Sequence, residues 1–300
     1  MKKFLKWLLI ILSVIIVSLL VLCASILIRH DRYNLYPSGG RLSENQSRYD
    51  VLFYNLELEV IAEKQAIAGS VTVKIRSLTD SLDRIELDLI DNFDVAQISD
   101  QRDSSLAFEH DDDMISISPW SPLTVNEIID LKIEYSGQPV EAIRPPWVGG
   151  FNWSKDSLGN DWIGVSCQTE GAKIWFPCKD HPSDEPDSAA INITVPEGYY
   201  CASNGVLRNV STPREGFRTY HWFTGYPINN YNINISIGKY EIVEREYRTL
   251  DNRIMPVYYY VLPQARAGAD ELIDMAVDML YTYREFYGEY PFTKEKFAVV

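Results

Sequence analysis

Between Gly164 and Pro186 the chain reads GVSCQTEGAKIWFPCKDHPSDEP. A single uncharged amide, Gln168, precedes an apolar knot, Ile174-Trp175-Phe176-Pro177-Cys178, and an acidic turn follows from Asp180 to Pro186. The knot reads as a short buried strand stopped by Pro177, which has no N–H to give to a ladder. Two Asp-x-Pro steps make the acidic turn a rigid loop. The stretch therefore presents one amide and several carboxylates. Asp180, Asp184 and Glu185 could work as acids or bases, but their place in a proline-pinned turn favours capping and bracing. Trp175, Phe176 and Pro177 read as core.

Other chemistries find no support. A helical zinc site needs two histidines four apart with a glutamate beside the first, plus a third ligand. The four histidines, at 30, 110, 181 and 221, have no such spacing. There is no G-x-S-x-G nucleophile elbow, and Gly39-Gly40 and Gly149-Gly150 are isolated pairs rather than phosphate-cradling loops. Asp111 to Asp113 lacks the spaced ligands and glycine turn of a calcium loop, so it reads as a solvated turn.

The spacing in the organising stretch resembles the signature of the zinc aminopeptidase family of the aminopeptidase N and leukotriene hydrolase type. Seven residues, Thr169 to Trp175, separate Gln168 from Phe176-Pro177-Cys178-Lys179-Asp180-His181-Pro182. The resemblance covers about residues 48–300 and implies a saddle-shaped β-domain leading into a zinc-bearing catalytic domain. It also implies that Gln168 accepts a hydrogen bond from the free α-amino group of a peptide substrate. An amide oxygen can accept from an ammonium, whose burial without a partner would be costly. Otherwise Gln168 merely satisfies backbone groups at a strand end. The family's G-x-M-E-N and H-E-x-x-H motifs do not occur. The expectation is a portion cut before the zinc motif, with zinc in the full-length family and none bound by this chain.

The elements that must hold this stretch are strands. Apolar residues alternate at Leu52 to Val60, Val71 to Ile75, Ile85 to Leu89, Ile115 to Ile117, Ile129 to Ile133, Ile191 to Val195 and Ile233 to Ile237. Short strands without a long helical pattern imply an antiparallel β-sandwich or saddle over 48–246. An apolar content of 46% supports a packed core, and a net charge of −14 argues against nucleic acid as a partner. Residues 247–300 then read as the first strands and helix of an α+β metallopeptidase catalytic domain. The helix is expected over about Gln264 to Phe286, starting at Pro263 and ending at Gly288. Its apolar face would be Ala269, Leu272, Ala276, Met279, Leu280 and Tyr283, without an obvious partner in this chain.

Upstream, Trp7 to Ile28 is a run of 22 residues without a charge, about 33 Å as a helix and so long enough to cross a bilayer. Lys2, Lys3 and Lys6 precede it. The positive-inside rule then puts the N-terminus in the cytoplasm and the bulk of the chain outside, periplasmic or extracellular. A transmembrane anchor (1–29) is the favoured reading over a cleaved signal peptide or lipidation at Cys23. Residues 30–47 read as a linker. Cys167, Cys178 and Cys201 read as buried free thiols. Five N-x-S/T sequons occur, at Asn45, Asn152, Asn192, Asn209 and Asn234; the two within expected strands, Asn192 and Asn234, read as chance matches.

Together these readings point to the N-terminal region of a membrane-anchored zinc aminopeptidase, with peptide amino termini and the bilayer (through residues 7–28) as partners. The alternative is a non-catalytic cell-surface β-sandwich used for peptide binding or interaction.

Overall fold

Alternation from Tyr49 to Ile61 builds the strand on which the fold is laid out. A computed structural model describes residues 2–33 and 36–300, with the side chains of 2–5, 8–10 and 26–33 left outside. The strands in chain order are β1 (Tyr49–Ile61), β2 (Ala66–Ser77), β3 (Ile85–Asp88), β4 (Phe93–Asp100), β5 (Ala107–Asp111) and β6 (Met114–Ser118). Then come β7 (Ile128–Gly137), β8 (Gly150–Lys155), β9 (Asp161–Ser166), β10 (Ser188–Pro196), β11 (Tyr200–Ser203) and β12 (Val206–Ser211). The last five are β13 (Phe217–Thr224), β14 (Ile235–Gly238), β15 (Glu241–Arg248), β16 (Ile254–Val261) and β17 (Phe297–Val299). Helices α1 (Lys2–Tyr33) and α2 (Ala269–Tyr287) complete the set.

The fold is mainly β. A seven-stranded sheet runs β12-β13-β10-β1-β2-β7-β4, and a four-stranded one runs β11-β14-β9-β8. Two three-stranded sheets, β3-β6-β5 and β15-β16-β17, flank them. The expected alternation in β1 holds: Leu52, Tyr54, Leu56, Leu58 and Val60 are all buried. The sheet is not purely antiparallel, because β1 pairs with β10 in parallel, Phe53 to Glu59 against Ser188 to Thr194. A tight hairpin would force antiparallel pairing, but the long crossover that carries the Gln168 loop lets β10 return parallel.

Two hydrophobic clusters form. The larger gathers the β-domain strands with Trp175 and Phe176 at its centre. The smaller joins Val243, Tyr247, Met255, Val257 and Val261 to Ala269, Ile273 and Leu280 of α2. The expected helix face is therefore corrected. Ala269 and Leu280 are buried, but Leu272, Met279 and Tyr283 are about half exposed. Apolar residues cover two sides of α2, and the side carrying Ile273 and Val277 meets the sheet. Pro263 starts a separate 3-10 turn rather than α2, while Gly288, with φ +89°, caps the helix as expected.

The expected linker packs on the domain over its described part. From Tyr36 onward it is docked rather than free. Tyr36 packs on the main cluster, Ser43 and Asn45 donate to Glu86, and Gln46 donates to Asp88 at 2.7 Å. Asn34 and Leu35 lie outside the described residues, as do the side chains of Lys2 and Lys3 from the anchor reading. Among the described residues no helix is long and apolar enough to cross a membrane. Within α1 the continuous run of described side chains extends only from Ile11 to Ser25.

Candidate functional site

Strand β9 delivers the chain to the site. Cys167 is buried just after it, and Gln168 stands exposed on the following turn. Its side chain makes no hydrogen bond to the described residues, so it does not spend its amide on the backbone of a strand end. Beside it Thr169 Oγ1 donates to Glu170 Oε2 at 2.7 Å, and Glu170 is buried. Gly149 lets this happen: a Cβ there would lie 2.4 Å from Glu170 Oε2 and 2.1 Å from the Ser166 carbonyl oxygen.

The chain then reverses at Gly171. Its φ of +82° favours glycine, and a Cβ would sit 2.0 Å from Asp180 Oδ2. Ala172 to Ile174 form one 3-10 turn, after which Trp175 N and Phe176 N both donate to Ala172 O. The expected strand at Ile174 to Cys178 is thus a turn and a packed loop. Its single ladder contact is the bridge between Asp88 and Cys178, and Pro177 offers no N–H for more. The core reading of the knot is right. Trp175 and Phe176 are fully buried, meet edge to face at 4.8 Å, and touch Phe151 and Tyr54. Tyr135 Oη closes the top by donating to Trp175 O at 2.9 Å.

The acidic turn is braced from within, so its carboxylates are not all on display. Lys179 Nζ meets Asp184 Oδ2 at 2.6 Å and donates to Tyr49 O at 2.7 Å, with both side chains at most 6% exposed. Asp184 also accepts from Val51 N. Of the three candidates only Glu185 is exposed. Lys179, Tyr49, Tyr54 and Asp88 hold the loop but were not singled out from sequence. A lone lysine between an apolar knot and a carboxylate-rich turn was the available signal. The hydroxyl and backbone partners left none.

Asp180 is the most perturbed carboxyl of the loop. Burial raises it to about 6, against the pull of Lys173, and Asp88 beside it is raised by burial too. A carboxyl raised on folding adds stability below its unfolded value, near 4, and loses it as pH rises through the folded value. Asp180→Asn is therefore expected to gain on the wild type as pH climbs from 4 to 6.5, by on the order of 2 kcal/mol. Urea unfolding of both proteins across that range checks it; parallel stability curves would contradict it.

Segment 229–232 backs the loop. Asn230 Nδ2 donates to Lys179 O at 2.6 Å, and Cys167 Sγ points at Tyr231 O. On its other side Asn229 and Asn232 line an open cavity of about 560 Å3, shared with Tyr226, Tyr290, Glu295 and Lys296. Gln168 is not in that wall. Lys296 bonds the carbonyls of Ser203 and Gly205 over the Trp222 ring, and burial lowers it to about 8. Among the described residues no group of three or more His, Cys, Asp or Glu could hold a metal ion. Cys167, Cys178 and Cys201 are buried free thiols, and burial pushes Cys167 up to about 12. Asp112 and Asp113 form a left-handed turn in which Asp113 and Asp91 exchange backbone-to-carboxylate bonds. Asn192 uses both ends of its amide, toward Asn55 and His221. Trp153 packs on Phe151 while Trp147 is exposed.

A mixed β-domain thus buries its Trp-Phe-Pro-Cys loop beyond one sheet strand and displays an amide that is unbonded among the described residues. The chain belongs to the family of the Peptidase M1 N-terminal domain, which matches residues 50–231. Its fold is that of solved M1 zinc metallopeptidases. It is 21% identical to one from Deinococcus radiodurans, with a TM-score of 0.68 over 85% of this chain and 56% of that one. A mutant of a Deinococcus radiodurans enzyme, bound to a Tyr-Ser-Ala substrate, matches at 21% identity and TM-score 0.64, over 82% and 55%. A two-domain M1 zinc metallopeptidase mutant bound to L-arginine matches at 22% and 0.67, over 87% and 57%. The chain thus spans a little over half the length of these structures. No curated protein matches it.

Proposed function

We propose that this chain is the N-terminal part of a membrane-anchored aminopeptidase and that Gln168 receives the α-ammonium of the peptide. The observation that carries the reading is the exposed amide of Gln168, unbonded among the described residues, on the loop of an M1 N-terminal domain. An acceptor placed for the ammonium would limit cleavage to the first peptide bond. It would also discriminate strongly, because an analogue lacking the charge leaves the site's polar group unpaired. The solved neighbours that hold a tripeptide substrate and an amino acid support this choice of ligand class.

The metal chemistry of that family does not fit the residues of this chain, since no cluster of ligands is present among the described residues. No catalytic step is assigned to the described residues of this chain. The division into a β-domain and the start of a second domain is supported by the smaller cluster around α2, while Tyr260 of β16 packs with the larger one. We place the boundary near Tyr240, because Val243 and Tyr247 of β15 already pack with α2. On the solvent side of α2, Leu272, Met275, Met279, Tyr283 and Phe286 are 46% to 76% exposed. Such a stripe marks a surface to be covered.

The anchor is assigned to residues 7–28, a run without a charge that lies wholly within helix α1. The basic N-terminus would stay in the cytoplasm and the β-domain outside it. The test is peptide hydrolysis by the full-length protein. A tripeptide with a free amino terminus should lose its first residue and its N-acetylated form should not. Binding of the free peptide without cleavage would favour the surface peptide-binding alternative.

A further inference from the structure

The linker after α1 is tied to the same loop that carries Gln168. Ser38 N donates to Thr169 O at 3.3 Å, one residue from Gln168, and Gly39 N donates to Asp180 O at 3.4 Å. Lys173 Nζ donates to Pro37 O at 2.9 Å. Gly39 sits so close to Pro182 that a Cβ would lie 3.2 Å from the proline ring. Farther on, Ser43, Asn45 and Gln46 are bonded to Glu86 and Asp88, and Asp88 also accepts from Asp180 N at 2.8 Å. Residues 36–46 are therefore a strap laid across the site loop and the end of β3.

Covalent reach then fixes where the site can be. From Tyr33, the last residue of α1, to Ser38 the chain takes five steps, at most roughly 18 Å when fully extended. Residues 29–33 continue α1 past the uncharged run and add roughly 8 Å. Whatever the angle of α1, the Gln168 turn is leashed within roughly 25 to 30 Å of the end of that run. An undocked linker of 30–47 would have allowed the domain to stand off at about twice that distance or tumble freely.

We infer that the strap holds the Gln168 turn on the membrane-proximal side of the domain, so that the site serves polypeptide amino termini presented at or near a lipid surface. This rests on the anchor reading above. The net charge of −14 makes the orientation depend on the strap, because an acidic domain gains nothing from approaching anionic headgroups.

The test uses the whole chain in vesicles of neutral and anionic phospholipid. Cys23, the only exposed thiol among the described residues, is changed to serine, and a fluorophore is placed through Thr169→Cys. Flotation with the vesicles reports the anchor. Quenching by headgroup nitroxides reports the orientation. Thr169→Cys should float and lose most of its emission. Inserting about twenty flexible residues between Asn34 and Leu35 should leave flotation intact and restore the emission, since the added reach is tens of ångströms. A protein that floats but is not quenched, or whose quenching survives the insertion, would overturn the orientation while leaving the anchor standing. A protein that does not float would overturn both. Near-ultraviolet circular dichroism of each variant against the parent confirms that the β-domain is folded.

Discussion

Lys179→Met is expected to destabilise the β-domain by about 3–5 kcal/mol, the cost of stranding a buried charge after its partner is removed. Lys179 and Asp184 are nearly inaccessible, and their 2.6 Å contact is the centre of the acidic turn. The lysine also bonds Tyr49 O and lies 4.7 Å from the centre of the Tyr49 ring. Without it, Asp184 keeps only the N–H of Val51 among the described residues. The pair differs from a surface bridge, whose loss costs about 1 kcal/mol or less. Adding Asp184→Leu to Lys179→Met should recover most of the loss, because an apolar pair avoids the desolvation of both ions. Denaturant melts of the three proteins at neutral pH measure this. A single variant within about 1 kcal/mol of wild type would show that water reaches the pair.

Trp175→Ala should cost a similar about 3–5 kcal/mol, the range for emptying a large aromatic site. Trp175 is fully buried and contacts Phe151 and Phe176 edge to face. Its carbonyl receives the Tyr135 hydroxyl, so the loop is fastened to β7 at the same point. The turn bearing Gln168 is seven residues upstream in sequence and shares Ala172 and Asp180 with the knot. The loss should therefore appear also as faster amide exchange at residues 167–171 in the folded state. Unchanged exchange there would separate the knot from the site.

The strands were legible because one buried face enforces a period of two. Val71 to Ile75, Ile129 to Ile133 and Ile191 to Val195 all fall in strands with that face inward. The knot was not legible as a turn, because five consecutive apolar residues carry no period and fit a strand or a buried loop equally. The face of α2 failed for the opposite reason: Leu272, Ile273, Met275, Val277 and Met279 give the helix two apolar sides, and only packing chooses between them. Docking of the linker onto the site loop was not legible in the sequence. Its ties at Ser38 and Gly39 run from backbone N–H groups to backbone carbonyls, which every sequence possesses. Gln168 itself was visible only through its spacing to Pro177 and Asp180.

The most direct measurement compares full-length wild type with Gln168→Ala on a tripeptide with a free amino terminus. A lost bond from a charged donor is expected to lower kcat/KM on the order of 10- to 100-fold, chiefly through KM. The unfolding midpoint should not move, since Gln168 is exposed and bonded to nothing in the described structure. Equal kcat/KM in the two proteins would contradict the assignment of the peptide's ammonium to Gln168.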